Sequence, residues 1–386
     1  MKALAGGLDQ TRLQHLKQVI EADIASGFYA GAAIVVSRHG HVGLDERLGT
    51  YSSANDQPIA PDAVFSLFSL TKAFTNVLIL RGVELGRFAF TTRVSDIIPE
   101  FAGGHRNAIT IEHLLTHQTG LPSVFTPEPG MPIDRLDVVV DAICQSLHGT
   151  EEPGGLVAYA PMAAHALMGE ILVRTDPDRR AFRDIVAQDL LDPLKMTSTS
   201  VGVRADLKAR HIVPEMPADF PATHPSSRVA GPHGAFEDEE AEMPWVGMVS
   251  TAGDLLRFAE MLRRGGELDG ARILSPRMID MATTNRTGDK PNEVFKAMAL
   301  AHGWAPYPAY IGLGFLLRGE AICHTQFGTL ATPRTYGNHG AGSTLFWVDP
   351  ELDMSFVCLT TKLIPEHTNI ERFQRLSDIA ISAACD

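Results

Sequence analysis

Apolar and polar residues recur with different periods in different parts of the chain. Near the amino terminus, residues 13–26 have the spacing of an amphipathic helix that ends at Gly27. The apolar run 31–37 and the stretch after the turn at 38–40 predict an antiparallel hairpin. Three strand patterns and a closing helix follow near the other end, at 311–317, 345–349, 354–360 and 370–384. We therefore expect one sheet built from both termini.

The middle of the chain has a helical period instead. An apolar stretch spans 64–80, and Thr110 is placed to cap a later helix. Further helical patterns, separated by loops rich in proline and glycine, occupy 163–173, 180–191 and 254–264. The segment 213–242 is rich in proline, histidine and acidic residues and has no period, which predicts a long ordered loop or a flexible lid.

This order of elements predicts a mixed fold class, α/β plus all-α. We expect an antiparallel sheet flanked by helices from residues 1–60 and 270–386. Residues 61–269 would form an inserted, mostly helical domain. The active site would then lie between the two domains.

Composition narrows the classes of partner. The chain has 386 residues, of which 45% are hydrophobic and 20% charged, so a sizeable core is available. Its net charge of −13, without a cluster of lysine and arginine, argues against binding to nucleic acid or an anionic membrane. No apolar run reaches the roughly 18 residues of a membrane-spanning helix, and no signal peptide is visible. The prediction is a cytoplasmic protein, with a processed secreted form as the alternative.

The cysteines and histidines do not predict a metal site. Four scattered cysteines lack the spacing that holds zinc and are expected to be reduced: Cys144, Cys323, Cys358 and Cys385. His113 and His117 lie four residues apart, but no glutamate follows His113 as in HExxH. We expect them to pack and to end a helix. No metal and no organic cofactor is implied.

The candidate chemistry begins with Ser69 and Lys72 in the apolar stretch 64–80. Residues three apart lie on one face of a helix, one turn from each other. Burial among phenylalanine and leucine side chains lowers the pKa of a lysine and lets it accept a proton. A serine hydroxyl becomes an effective nucleophile when such a base lies beside it. An exposed helical serine and lysine is the structural alternative.

Five further segments follow this Ser-x-x-Lys motif in an order that is familiar from one group of enzymes. They are 111–122 (IEHLLTHQTGLP), 153–161 (PGGLVAYAP), 192–199 (DPLKMTST), 247–259 (GMVSTAGDLLRFA) and 337–344 (GNHGAGST). Together the six segments resemble the serine β-lactamase and penicillin-binding-protein superfamily, in particular its class-C-like esterase branch. The resemblance covers nearly the whole chain. It implies a β-lactamase-like fold.

The resemblance also implies acyl transfer through a covalent acyl-serine. Ser69 would attack the carbonyl carbon, while Lys72 and Tyr159 would move protons between the serine and the leaving group. The positive charge of Lys72 would favour the phenolate form of Tyr159. The oxyanion would be held by the backbone N–H of Ser69 and by a second N–H near Ser343 or Thr344. Alternatively, Tyr159 packs its ring and has only a structural role.

Two departures from the family pattern bear on the substrate. The usual Tyr-x-Asn motif ends in Pro161 here, and the alignment on Gly340 places Asn338 where lysine or histidine is expected. A shift by one residue would make His339 the cation instead. Both changes argue against β-lactam hydrolysis and fit a substrate without the carboxylate of a penicillin. The predicted substrate-binding residues are Asn338, His339, Gly340, Ser343 and Trp245.

Aromatic residues in the second half of the chain either line an acyl pocket or belong to the core. The candidates are Trp245, Trp304, Tyr307, Tyr310 and Phe315.

The leading functional hypothesis is a carboxylesterase that acts on small or medium acyl esters. The second is an acyltransferase that uses the same acyl-serine with an amine or alcohol acceptor. The sequence leaves the choice open, because it depends on whether water or a second substrate reaches the acyl-enzyme. β-Lactamase or D-Ala peptidase activity ranks third. A sensor that is acylated once without turnover is the non-enzymatic alternative.

Overall fold

A computed structural model describes residues 3–216 and 234–385. The strands are β1 (Ala3–Leu4), β2 (Leu8–Asp9), β3 (Gly31–Arg38), β4 (His41–Ser52), β5 (Asn55–Pro58), β6 (Val64–Ser66), β7 (Ser200–Val201), β8 (His211–Ile212), β9 (Met248–Ser250), β10 (Glu267–Leu268), β11 (Ala271–Arg272), β12 (Leu316–Leu317), β13 (Tyr336–Gly340), β14 (Thr344–Asp349) and β15 (Met354–Thr360).

The α-helices are α1 (Gln10–Ala25), α2 (Thr71–Glu84), α3 (Val94–Ile97), α4 (Ile111–Leu115), α5 (Leu136–Ser146), α6 (Ala163–Thr175), α7 (Phe182–Val186), α8 (Gly234–Glu237), α9 (Ala252–Arg263), α10 (Pro276–Ala282), α11 (Glu293–Ala301) and α12 (Glu366–Ile381). Turns of 3₁₀-helix span Phe68–Leu70, Pro99–Phe101, Gly104–Ala108 and Lys208–Arg210, and a π-helical turn spans Ala187–Leu191.

Strands from both ends of the chain form one antiparallel sheet. In the described residues its seven strands have the order β12-β13-β14-β15-β3-β4-β5. The central pair joins β15 to β3, with Val357 opposite Val35, so the last strand of the chain pairs with one of the first. The predicted antiparallel sheet built from both termini is therefore confirmed.

The central strands are apolar throughout because both faces of the sheet are covered. Val357 and Leu359 of β15 pack in the core that contains α2 and α9. Phe356 and Cys358 point to the other face, where α1 and α12 pack. A strand buried on both faces loses the alternation of apolar and polar residues that marks a half-exposed strand.

The helical region contributes α2 as the central helix of its core. Eleven of its fourteen residues are buried, so it is apolar all round rather than amphipathic. It packs on α6 and on the end of β13. The helix α9 also belongs to residues 61–269, yet it packs on β14 and β15 of the sheet. The division of the chain at residues 61 and 269 stays a prediction.

Most predicted elements are present, with shifted ends. The first helix begins at Gln10, where Asp9 caps it, and the closing helix begins at Glu366 rather than at residue 370. Thr110 caps α4 as predicted, and His113 completes the capping box. The predicted strand at 311–317 is reduced to Leu316–Leu317. The preceding residues leave the sheet, and Ile311 and Gly314 line the cavity described below.

The predicted loop or lid at 213–242 lies largely outside the described residues. Its last part contains the short helix α8.

The described residues can be examined for membrane-spanning helices, metal-binding groups and disulfides. None of their helices is long and apolar enough to span a membrane. Within the same residues, no group of three or more histidine, cysteine or acidic side chains is arranged to hold a metal ion. The four cysteines are free thiols.

Candidate active site

Ser69 lies on the 3₁₀ turn Phe68–Leu70, which leads directly into α2. The preceding residue, Phe68, has a φ of 49°, a left-handed conformation that costs a non-glycine residue about 1–3 kcal/mol. Packing holds the turn in place, since the ring centroids of Phe68 and Phe236 are 4.8 Å apart. The turn thus presents the Ser69 hydroxyl at the start of a buried helix.

The end of β13 packs on this turn with no room for a side chain. A Cβ on Gly340 would collide with the carbonyl oxygen of Leu67 and would lie 3.0 Å from the backbone nitrogen of Leu70. Thr344, opposite Gly340 in the β13–β14 ladder, donates its hydroxyl to the Leu67 carbonyl oxygen at 2.9 Å. Close backbone contact therefore places Gly340 beside Ser69 and requires glycine there.

Lys72 lies next to Ser69 in the interior and is only 3% exposed. Its Nζ donates hydrogen bonds to Ser69 Oγ at 3.0 Å and to the carbonyl oxygen of Trp245 at 2.9 Å. Burial penalises the ammonium form and holds the pKa of Lys72 well below its usual value. A neutral amine in this position can take the proton of the serine hydroxyl.

Tyr159 completes the group around the serine hydroxyl. Its phenolic oxygen lies 2.9 Å from Ser69 Oγ, and Lys72 Nζ lies 5.2 Å from the centre of its ring. The backbone N–H of Tyr159 donates to Asn292 Oδ1 at 3.2 Å, and its ring stacks on Phe295 with centroids 5.9 Å apart. The loop that carries Tyr159 is thus held by the residues at the start of α11.

The expected phenolate form of Tyr159 does not fit this environment. Burial raises the pKa of Tyr159 above its usual value, although the hydrogen bond from Ser69 opposes the shift. Burial also lowers the pKa of Lys72 and so disfavours the positive charge that was expected to stabilise a phenolate. Burial thus favours the neutral form of each group, so Lys72 is the better proton acceptor and Tyr159 the better proton donor.

Polar side chains behind Lys72 form a second layer that the sequence did not reveal. Asn76 Nδ2 donates to the Gly314 carbonyl oxygen at 2.7 Å, and its Oδ1 lies 3.0 Å from His165 Nε2. His117 Nδ1 accepts from the backbone N–H of Ala160 at 3.4 Å. Burial, assisted by Lys72, lowers the pKa of His117 to about 3, so this imidazole is neutral. These groups add no positive charge to the site.

Ser69, Lys72 and Tyr159 open onto a cavity of about 240 Å³. Its apolar walls come from α11, β12 and a nearby loop, through Phe125, Val294, Phe295 and Leu316. Phe125 is 73% exposed, which places it at the rim. A cavity with one cluster of polar groups on mostly apolar walls is typical of a small-molecule site.

Of the predicted substrate-binding residues, Asn338 and His339 line this cavity. Asn338 Nδ2 donates to the carbonyl oxygen of Gly314 at 3.3 Å, so an uncharged amide lies where the alignment expects a cation. His339 Nε2 lies 2.6 Å from Glu366 Oε1, at the first residue of α12. The strand thus brings both residues to the site, and the second has an acidic partner.

Trp245 and Ser343 are placed differently from the prediction. The Trp245 ring is buried in the core and does not line the cavity, although its carbonyl oxygen accepts from Lys72. Ser343 is fully buried with a φ of 55°, at the turn between β13 and β14. Ala341 is the residue after Gly340 that lines the cavity. Ser343 and Thr344, near which the second oxyanion donor was predicted, do not line the cavity.

The sequence analysis missed several residues that line the cavity. They are Asn76, His117, His165, Asn292, Phe295 and Glu366. Asn76 lies seven residues after Ser69, two turns along the same helix, so helical spacing could have indicated it. The others come from separate elements, and no local spacing relates them to Ser69. None of the other aromatic candidates, Trp304, Tyr307, Tyr310 and Phe315, lines the cavity.

Comparison with known proteins supports the resemblance over nearly the whole chain. The family model described as Beta-lactamase matches residues 16–380. The chain belongs to the beta-lactamase family. The resemblance found from the six segments is confirmed. Members of this superfamily are serine acyl hydrolases or transferases.

The individual proteins to which this beta-lactamase family member is similar share only a limited part of its sequence. Penicillin-binding protein 4 of Amycolatopsis lactamdurans is 29% identical over 260 residues, which cover 64% of this chain and 64% of that protein. The match thus spans less than two thirds of the relative's own length. A penicillin-binding protein homologue from Caulobacter crescentus superposes with a TM-score of 0.78 at 26% identity, covering 98% of this chain and 99% of that one.

A third solved structure has the same fold at lower identity. EstCE1, a hydrolase with promiscuous acyltransferase activity, superposes with a TM-score of 0.75 at 18% identity. The superposition covers 95% of this chain and 99% of that one. Together with the Caulobacter structure, it confirms the predicted β-lactamase-like fold.

Proposed function

We propose that this protein is a serine hydrolase that forms an acyl-serine intermediate at Ser69 and acts as a carboxylesterase on small or medium acyl esters. One observation carries the proposal. Ser69 Oγ lies within hydrogen-bond distance of both Lys72 Nζ and Tyr159 OH, at 3.0 and 2.9 Å. A nucleophile with a base and an acid on either side can run both proton transfers of acyl transfer.

The environment assigns the two proton-transfer roles. The neutral amine of Lys72 takes the proton of Ser69 as its oxygen attacks the ester carbonyl carbon. Tyr159 then donates its phenolic proton to the leaving alcohol, and the Lys72 ammonium restores it. Burial favours both neutral resting forms, because it lowers the pKa of Lys72 and raises that of Tyr159.

The developing oxyanion requires donors on the opposite side of the carbonyl carbon. The N–H groups of Ser69 and Ala341 are the candidates, because Gly340 packs against the turn that carries Ser69. Ser69 and Ala341 both line the cavity, so two backbone N–H donors at these residues would support acyl transfer.

The charges around the cavity favour an ester substrate over a β-lactam substrate. A penicillin carries a carboxylate that a cation would pair with. Asn338 is uncharged, and the pKa of Lys72 is lowered by burial. Glu366 adds a carboxylate to the wall, and its pKa is lowered by His339 although burial opposes the shift. An anionic substrate would meet this negative charge without a strong cationic partner among the described lining residues.

Acyl transfer to an amine or alcohol is the second candidate. Glu366 is the observation that favours it, since a carboxylate in the cavity attracts protonated amines and accepts hydrogen bonds from alcohols. EstCE1, with the same fold, is a hydrolase with promiscuous acyltransferase activity. The two activities share the first half-reaction and differ in what discharges the acyl-enzyme.

Intact-protein mass spectrometry after brief mixing with p-nitrophenyl esters of increasing acyl length tests the proposal. We expect an adduct of the acyl mass, mapped to Ser69 by peptide analysis, that water removes. An adduct that persists in water but is discharged by added amines would favour the transferase. A stable adduct with neither outcome would identify a sensor. Rapid turnover of a β-lactam included in parallel would contradict the argument from charge.

Replacing Tyr159 with phenylalanine should lower kcat by about 10²-fold, because the leaving alcohol loses its proton donor. The loss should be larger for an alkyl ester than for a p-nitrophenyl ester, since p-nitrophenolate leaves without protonation. Steady-state kinetics with matched alkyl and p-nitrophenyl esters measure this difference. An equal loss for both esters would mean that Tyr159 only positions Ser69.

The pH dependence of acylation should reflect the depressed pKa of Lys72. Burial lowers that pKa and favours the deprotonated amine, and we expect kcat/KM to stay level between about pH 7 and 9. A lysine with the usual pKa of about 10.4 would instead make the rate rise tenfold per pH unit across that range. Stopped-flow measurement of acylation by an uncharged ester distinguishes the level pH profile from the rising one. A rising profile would contradict Lys72 as the neutral base.

A further inference from the structure

Asn292 directly precedes α11, and its side chain caps that helix. Its Oδ1 accepts from the backbone N–H of Val294 at 3.1 Å and from the backbone N–H of Tyr159 at 3.2 Å. Because both partners donate, the atom that they share must be the amide oxygen. The Nδ2 amino group of Asn292 therefore has a fixed direction, away from these two bonds.

This amino group is a hydrogen-bond donor without an acceptor in the described part of the chain. Asn292 is only 4% exposed, and it lines the cavity that contains Ser69. Its Nδ2 is not one of the fully buried polar atoms that lack a partner, so it keeps accessible surface. A donor that is removed from water and left unpaired is unfavourable. A molecule that fills the cavity has to supply the acceptor.

His117 places a second uncharged donor on the same cavity. The backbone N–H of Ala160, the residue after Tyr159, donates to His117 Nδ1 at 3.4 Å. Since the imidazole is neutral, its ring hydrogen is then on Nε2. This Nε2 also keeps accessible surface, because it has no partner among the described residues and is not one of their fully buried unpaired atoms. Two consecutive backbone N–H groups thus orient an amide and an imidazole so that each leaves one donor free.

The charges of the lining indicate which acceptor fits these donors. An amide N–H and an imidazole N–H are uncharged and suit a carbonyl, ether or hydroxyl oxygen. A carboxylate of the substrate is a poorer fit, because Glu366 lines the same cavity with a carboxylate of its own. The expected acceptor is therefore an uncharged oxygen.

We propose that Asn292 is a specificity residue, whose Nδ2 donates to an uncharged oxygen of the substrate outside the reacting ester group, with His117 Nε2 as a second donor. This inference rests on the proposed esterase function. It narrows the substrates to esters that carry a further carbonyl, ether or hydroxyl oxygen, in the acyl part or in the alcohol part. A plain alkyl ester would displace water from the cavity and leave the donors unpaired.

The alternative is that Asn292 only caps α11 and holds the backbone of Tyr159. Such a role depends on Oδ1 alone, and its loss would slow the reaction of all esters alike. Recognition of a further oxygen depends on Nδ2, and its loss would affect only the esters that carry this oxygen. The two explanations therefore differ in the atom that matters and in the substrates that respond.

Two matched pairs of uncharged esters test the proposal. p-Nitrophenyl levulinate differs from p-nitrophenyl valerate by a ketone oxygen in the acyl part, and methoxyethyl butyrate differs from butyl butyrate by an ether oxygen in the alcohol part. We expect the wild-type protein to prefer the oxygen-bearing ester of at least one pair by about tenfold in kcat/KM. The pair that shows this preference identifies which part of the substrate contacts Asn292.

Two variants remove the donor and keep an acceptor for the helix cap. Asn292→Asp keeps an oxygen for both backbone N–H groups, and Asn292→Ser keeps an uncharged capping oxygen. Both should reduce the preference about tenfold, and the comparison with wild type cancels the intrinsic reactivity of the esters. Asn285→Asp is the matched control, because Asn285 Oδ1 accepts from the Thr287 N–H at 3.0 Å outside the cavity lining. It introduces the same charge and should keep the wild-type preference.

A wild-type protein without preference in either pair would overturn this inference, and so would a preference that both Asn292 variants retain. Circular dichroism shows whether each variant is folded, and Asn292→Ser carries the test if Asn292→Asp is not. Absence of an acyl adduct on Ser69 from either p-nitrophenyl ester would instead contradict the proposed function itself. The two failures are thus distinguishable.

Discussion

Alanine at position 69 is expected to abolish ester turnover, with a loss of about 10⁴-fold or more in kcat and no adduct in the intact mass. The hydroxyl oxygen of Ser69 contacts both Lys72 Nζ and Tyr159 OH. Its removal leaves the oxyanion donors and the cavity in place but no nucleophile. Because the change deletes a single oxygen, thermal unfolding should remain close to that of wild type.

Ser66→Ala is the matched control for Ser69→Ala. Ser66 lies three residues earlier, and its hydroxyl bonds His211 Nε2 at 2.8 Å outside the cavity lining. This control should lose some stability, because it leaves a partly buried hydrogen bond unmade, but it should keep its activity. Activity of Ser69→Ala near the wild-type level would refute the assignment of the nucleophile.

The second large effect is expected at Lys72. Lys72→Met should reduce the rate of acylation by about 10³-fold, since the buried amine is the base that takes the Ser69 proton. Methionine fills a similar volume and keeps the site apolar. The Trp245 carbonyl oxygen loses its partner, but the cost of burying an amine is also removed, so only a small change in Tm is expected. The burst rate with a p-nitrophenyl ester measures the loss.

Lys72→Arg distinguishes a proton acceptor from a positive charge. The guanidinium retains its charge and cannot act as a base, so this variant should be as inactive as Lys72→Met. If Lys72 acted only by electrostatic stabilisation, the arginine variant would keep a large part of the activity. The Lys72→Arg substitution should also lower Tm. A permanent charge would then replace a group whose pKa is lowered by burial. Activity in Lys72→Arg would contradict the base role.

The placement of Lys72 beside Ser69 could be predicted because it depends on local geometry. Residues three apart on a helix are neighbours whatever the rest of the chain does, and the surrounding apolar residues predicted burial. Tyr159 is different, because ninety positions separate it from Ser69 and no spacing rule joins them. Only the order of the family motifs indicated it. The hydrogen bond between the two side chains follows from the packing of α2, α6 and the loop before α6.

The protonation state of the site depended on the tertiary structure. A nearby lysine charge was expected to stabilise the Tyr159 phenolate, but burial works on both groups in the same direction, towards the neutral forms. Trp245 was expected to contribute its ring and contributes a carbonyl oxygen instead. Which atom of a residue faces a site depends on backbone direction, which composition and motif order do not specify.

The sequence by itself determined the fold family, the sheet built from both termini and the local pairing of Ser69 with Lys72. The sheet and the serine–lysine pairing depend on apolar periodicity and on short-range spacing along the chain, whereas the fold family was implied by the resemblance of six segments to known proteins. The tertiary structure alone decided that Asn292 holds the Tyr159 backbone, that Ala341 rather than Ser343 faces the cavity, and that Glu366 meets His339. Those contacts join residues from distant elements. Their geometry arises when β13, α11 and α12 pack around the turn of Ser69, and no single segment contains it.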